Sequence, residues 1–176
     1  MNSNRRQLLM AGSAAFGVGA LARQSNMSAT PAHNRTLSRD TDLAGLTPGQ
    51  PGVDYLPVVT PNGATLPFKI IDGVKVFHLV AEEVDHEFAR GLRAHCYGFN
   101  GRVHGPTIEA LEGDRVRIYV TNRLKVPTSV HWHGILLPNG MDGVGGLTQR
   151  PIEPGETFRY EFPLLQHGTY MYHSHH

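Results

Sequence analysis

Arg115-Val116-Arg117-Ile118-Tyr119-Val120 alternates residue by residue between polar and apolar side chains, which sets Val116, Ile118 and Val120 on one face. Successive side chains of a β-strand point to opposite sides, so a two-residue apolar period describes a strand with one buried face. Thr157-Phe158-Arg159-Tyr160-Glu161-Phe162 repeats the pattern, with Phe158, Tyr160 and Phe162 turned inward. Upstream, Phe68-Lys69-Ile70-Ile71 and Val74-Lys75-Val76-Phe77-His78-Leu79-Val80 flank Asp72-Gly73, a pair suited to the type I′ turn of a tight hairpin. Glycine-bearing breaks at Glu112-Gly113-Asp114, Pro138-Asn139-Gly140 and Glu153-Pro154-Gly155-Glu156 keep the strands short. No convincing amphipathic helix, internal repeat or low-complexity core segment interrupts this pattern. The expectation is an all-β chain, folded as a sandwich or barrel.

The 176 residues, 40% of them apolar, can hold one ordinary domain and a tail. A formal net charge of +1 and the lack of a long Lys/Arg run give no reason to expect a nucleic acid or an acidic surface as partner. The single cysteine, Cys96, excludes an internal disulfide and any Cys-rich zinc or iron–sulfur site. Within Ala94-His95-Cys96-Tyr97 it reads as a buried free thiol, with His95 structural beside it.

The N-terminus reads as an export signal. Arg5-Arg6 precede a mild Ala/Gly-rich apolar run from Leu8 to Ala22, which closes on the small-x-small pattern Ala20-Leu21-Ala22. The run is too short and too weakly apolar to span a bilayer, which takes about 20 residues. Paired arginines before such a run resemble a twin-arginine address; an ordinary secretory signal carrying two chance arginines is the alternative. Residues 1–22 are therefore expected to be a signal, with the protein exported, most simply to a periplasm. From Arg23 to 54 the composition is polar and aperiodic, the mark of a linker, so the domain is expected to occupy 55–176.

Two triplets carry the chemistry. His131-Trp132-His133 and His173-Ser174-His175 each place two imidazoles two residues apart, which on a strand means the same face, about 6.5–7 Å apart. Neutral imidazole is a usual nitrogen ligand for copper, zinc and iron. On a strand from Ser129 to Leu137, Val130, Trp132 and Leu136 would pack into the core while His131 and His133 point out of it. On Thr169–His175, His173 and His175 share a face with Met171, opposite Tyr170, Tyr172 and Ser174. Ligands outside a rigid core, where a second surface could close over them, make an interface metal site.

The residues from Gly101 to His175 resemble the N-terminal cupredoxin-like domain of multicopper oxidases, the family of laccases and copper-resistance oxidases. The likeness runs through Gly105-Pro106-Thr107-Ile108, Glu112-Gly113-Asp114-Arg115-Val116 and Asn122-Arg123-Leu124. It continues through His131-Trp132-His133-Gly134, Met141-Asp142-Gly143 and Pro154–Tyr160 to His167-Gly168-Thr169-Tyr170-Met171-Tyr172-His173-Ser174-His175. The resemblance implies a Greek-key cupredoxin-like sandwich and a trinuclear copper site that reduces dioxygen to water while a reducing substrate is oxidised. His131 would serve the type 2 copper, His133 and His173 one type 3 copper, and His175 the other. Asp142 matches a family acid that orients water or passes protons; as a turn residue in Met141-Asp142-Gly143 it is read equally well. His167 is expected to be structural, and His33, His78, His86, His95 and His104 match no metal motif.

The departures from the family are also legible. A type 1 copper needs a thiolate flanked by two histidines, and Tyr97 follows Cys96 where the second would stand. In the family that site and the remaining trinuclear ligands come from a later cupredoxin domain or a neighbouring subunit, and the first domain continues past its second triplet. The sequence therefore reads as a domain incomplete at its C-terminus, inactive on its own, with at most weak copper or zinc binding. A non-catalytic periplasmic copper-binding module is the alternative. The reducing substrate (a phenol, or cuprous, ferrous or manganous ion) is not legible in these residues.

Overall fold

The computed structural model describes residues 5–12 and 45–176. Among these the ordered elements are nine strands and a single 3-10 turn, Asn139–Met141. The strands are β1 (Gln7–Gly12), β2 (Phe68–Ile71), β3 (Val74–Ala89), β4 (Leu92–Phe99), β5 (Ile108–Leu111), β6 (Arg115–Asn122), β7 (Val130–His133), β8 (Thr157–Pro163) and β9 (Gly168–Ser174). One sheet runs β5-β1-β9-β7 and the other β2-β3-β6-β8, with β4 paired to β3. Crossovers make β1·β9 and β3·β6 parallel, whereas the neighbouring pairs are antiparallel.

The alternation of the sequence becomes the two-faced packing of the strands. Val116, Ile118 and Val120 are fully buried on β6, facing Tyr160 and Phe162 of β8 in an antiparallel register that sets Ile118 opposite Tyr160. The β2–β3 hairpin turns at Asp72 (φ 51°) and Gly73 (φ 74°), the two positive-φ positions that a type I′ turn requires. Trp132 lies at the centre, its ring 5.3 Å from Tyr160 and 5.9 Å from both Phe162 and Tyr172. Neither the Tyr160 nor the Tyr172 hydroxyl is stranded by burial: Tyr160 Oη accepts the Val130 N–H at 3.1 Å, and Tyr172 Oη donates to the Pro106 carbonyl at 2.8 Å. Burial pushes the Tyr160 phenol up to about 12.

Several expectations are corrected. The first histidine strand stops at His133 because Gly134 turns the chain at φ +82°, and Leu136 is 55% exposed rather than in the core. Cys96 is half-buried, not a core thiol, because β4 pairs only with β3 in an arm whose side chains are mostly exposed. His95 on the same arm is structural as expected, with Nδ1 2.8 Å from Asp85 and Nε2 3.4 Å from Glu83. Packed chain begins before Tyr55. Pro48 and Gly49 are buried, and a Cβ on Gly49 would lie 2.5 Å from Leu111 Cδ1. Gln7–Gly12, inside the stretch read as a signal, is an interior strand with Leu8 and Met10 fully buried. Residues 13–44, with the rest of that stretch and most of the linker, lie outside the described residues.

A buried charge cluster ties these parts together. On β3 the period of two sets Lys75, Phe77, Leu79 and Ala81 inward, so an ammonium enters the core with 0% exposure. Lys75 Nζ lies 3.2 Å from Asp114 Oδ2 and 4.4 Å from the centre of the Phe68 ring. Asp114 also pairs with Arg5 and accepts the N–H groups of Gly49 at 3.0 Å and Leu111 at 2.8 Å. Burial draws the Lys75 ammonium below the ordinary lysine range, and Asp114 opposes that pull. Removing one partner of such a set strands the other charge, so Asp114→Ala is expected to lose about 3–5 kcal/mol of stability. The double variant Asp114→Ala/Lys75→Met should recover part of it, since Arg5 and the Gly49 and Leu111 N–H groups still lack their acceptor; urea unfolding at pH 7 measures both.

Candidate metal centre

β7 and β9 are antiparallel neighbours in a register that sets His131 opposite His173 and Trp132 opposite Tyr172. Each triplet thereby contributes its aromatic or small middle residue to one face and its histidines to the other. The His131 ring centre lies 5.5 Å from His133, 5.4 Å from His173 and 5.4 Å from His175. Ring nitrogens of His131, His133 and His173 lie within 4.8 Å of one another, and no other trio of His, Cys, Asp or Glu among the described residues converges as closely. His175 packs on this group, its ring 6.0 Å from that of His173 and nearly parallel to it.

The main chain sets which nitrogen of each ring is bare. His131 Nδ1 lies 2.6 Å from the Asp142 carbonyl oxygen, and His173 Nδ1 lies 2.8 Å from the Ser174 carbonyl. A carbonyl can only accept, so both Nδ1 atoms carry the proton and both Nε2 atoms carry a lone pair. His133 Nδ1 faces His173 Nε2 at 3.4 Å. Two nitrogens bound to one metal at about 2.0 Å stand roughly 3 Å apart, so this pair fits a shared ion with little movement. Ion binding there would displace a proton held between the two rings.

Asp142 closes the 3-10 turn, and its carboxylate Oδ1 is 3.4 Å from the His131 Nδ1 that its carbonyl already engages. Gly143 makes the approach possible. At φ +79°, any Cβ there would fall 1.7 Å from the Val130 carbonyl oxygen, so only glycine lets this loop lie against β7. The Asp142 side chain is legible from the sequence, whereas the roles of its carbonyl and of Gly143 are signalled there only by the Asp-Gly pair. His167 is structural, with Nδ1 3.2 Å from Glu112 and Nε2 3.1 Å from Arg6. His78 bonds Thr121 at 2.8 Å, and His86 meets Phe88 and His104 edge-to-face, away from the centre.

Residues 80–176 match the family model described as multicopper oxidase. Copper resistance protein A of Pseudomonas syringae pv. tomato is 51% identical over 85 residues, which are 48% of this chain and 14% of that protein. Copper resistance protein A of Escherichia coli is 53% identical over 76 residues, 43% of this chain and 13% of that one. The chain thus spans 14% or less of the length of these relatives. Among solved structures, a multicopper oxidase from Campylobacter jejuni, described as a metallo-oxidase, has a TM-score of 0.55 at 34% identity, covering 64% of this chain and 24% of that chain. A multi-copper oxidase from Pseudomonas thermotolerans has a TM-score of 0.52 at 37% identity, covering 57% and 24%.

The tautomer assignment is directly testable. Nitrogen-15 NMR of the neutral rings is expected to find His131 and His173 protonated at Nδ1. Gly143→Ala should scramble His131 alone, leaving His173 unchanged.

Proposed function

The chain belongs to the multicopper oxidase family and shares its cupredoxin-like β fold, and we propose that His131, His133, His173 and His175 are its contribution to a trinuclear copper site reducing dioxygen to water. The observation that carries this reading is the convergence of His131, His133 and His173, with His131 and His173 held through Nδ1 so that Nε2 is offered outward. In this reading His131 serves the type 2 copper, His133 and His173 share one type 3 copper, and His175 serves the other. Imidazole suits copper in both of its oxidation states, and the bound metal would supply the single-electron steps of a four-electron, four-proton reduction.

The chain's own residues have narrower tasks. The core behind β7 and β9 fixes the spacing of the rings, since Trp132 and Tyr172 are fully packed on the opposite face. The Asp142 and Ser174 carbonyls hold the Nδ1 protons, which would leave Nε2 of His131 and His173 to bind the metal. Asp142 Oδ1, 3.4 Å from His131 Nδ1 on a side chain 31% exposed, is placed to orient water or pass protons between solvent and the site. The electrons would come from a type 1 copper in another cupredoxin domain, which would also supply the remaining ligands. Export to a periplasm belongs to the same reading and rests on the paired arginines near the N-terminus. Among the described residues no helix is long and apolar enough to cross a membrane.

Two measurements test the proposal. This chain with added copper and a phenolic substrate is expected to consume no oxygen. A chimera of Pseudomonas syringae copper resistance protein A carrying residues 80–176 of this chain in place of its own matching segment is expected to reduce oxygen. His131→Ala or His173→Ala in the chimera should abolish that reduction while leaving its thermal unfolding close to the parent's. Copper uptake by the chimera without oxygen reduction would instead favour a binding module.

A further inference from the structure

Strand β1 begins the stretch read as an export address, yet it is an interior strand. Gln7–Met10 pairs antiparallel with Ile108–Leu111 of β5, and Leu8–Gly12 pairs in parallel with Gly168–Tyr172 of β9. In the sheet β5 and β9 are neighbours only through β1. Leu8 and Met10, two residues apart, are fully buried. Both arginines before them are engaged. Arg5 pairs with buried Asp114 and donates to the carbonyls of Glu112 at 2.9 Å and Thr47 at 2.6 Å. The Arg6 carbonyl accepts the Glu112 N–H at 2.6 Å, and its guanidinium reaches His167 Nε2 at 3.1 Å.

A receptor that reads a short peptide needs its backbone and its charged side chains accessible. Here the backbone is hydrogen-bonded on two sides, two apolar side chains are in the core, and one guanidinium completes a buried charge cluster. We propose that Arg5–Gly12 acts as an intramolecular strand that closes the slot between β5 and β9, sequesters Arg5 against Asp114 and ties the exposed Arg6 to His167, so that a folded chain and an address-readable chain are alternative states. The proposal rests on the export reading of those arginines. The slot selects this occupant through its own chemistry: apolar positions at 8 and 10 meet the core, and a cation at position 5 meets the Asp114 carboxylate. Recognition must then precede docking, or the strand must be withdrawn from the sheet.

Hydrogen exchange on the full chain tests the docking. The amides of Leu8–Ala11 are expected to exchange as slowly as those of Tyr170–Tyr172; fast exchange throughout 8–11 overturns the proposal. Met10→Pro removes a donor that an interior strand requires, while keeping the arginines and the apolar character. It should speed exchange at Leu9 and Ala11 by about tenfold or more while Ile118 and Val120 on β6 stay protected. If β6 protection is lost, Met10→Gly, which keeps the donor and removes the buried side chain, takes its place. In a bacterium with a twin-arginine translocase, the opened variant should be exported in greater proportion than the parent, and Arg5→Lys/Arg6→Lys should abolish the gain. Opening without a gain in export overturns the sequestration. Export indifferent to the arginines overturns the proposal through the address reading and leaves the docking intact.

Discussion

The register of β7 against β9 is the constraint on which the rest depends. With His131 opposite His173 and Trp132 opposite Tyr172, one face of the pair is imidazole and the other is the centre of the core. A slip of one residue would exchange the faces, burying imidazoles and exposing Trp132. The aromatic packing of Trp132 with Tyr160, Phe162 and Tyr172 therefore does more than stabilise the sandwich. It holds the ring positions from behind, so the imidazoles are already ordered on one face.

The second layer of control is main chain rather than side chain. The carbonyls of Asp142 and Ser174 each engage an Nδ1–H, and the first is delivered by a loop that can approach β7 only because residue 143 lacks a Cβ. At the other end of the sandwich, Asp114 gathers the loop at Gly49, the turn at Leu111, Lys75 of β3 and Arg5 ahead of β1. Four separate stretches of chain thus meet at one carboxylate. The two sites divide the labour: one fixes chemistry at the open end of the sheets, the other fixes topology inside them.

The alternating segments around Ile118, Tyr160 and the Asp72-Gly73 turn were legible because a half-buried strand and a type I′ turn each leave a local mark. So were the faces of the two histidine triplets. Lys75 was not legible: lysine in an alternating strand ordinarily marks the solvent side, and partners distant in sequence, Asp114 above all, make its burial tolerable. Cys96 misled for the converse reason, since an apolar neighbourhood in sequence says nothing about whether a second layer covers the strand. Leu136 continues the apolar alternation of its strand in sequence, but Gly134 ends that strand first.

Local pattern is enough for the strand periods, the hairpin turn and the pairing of histidines on common faces, because side-chain direction along a strand follows from backbone geometry alone. Long-range packing sets which strands meet, which imidazole nitrogens carry the proton, and that Gln7–Gly12 lies between β5 and β9. Those outcomes depend on groups far apart in the chain, such as Arg5 with Asp114 and His131 with Asp142, and a contact between distant residues leaves no period in the sequence to be read.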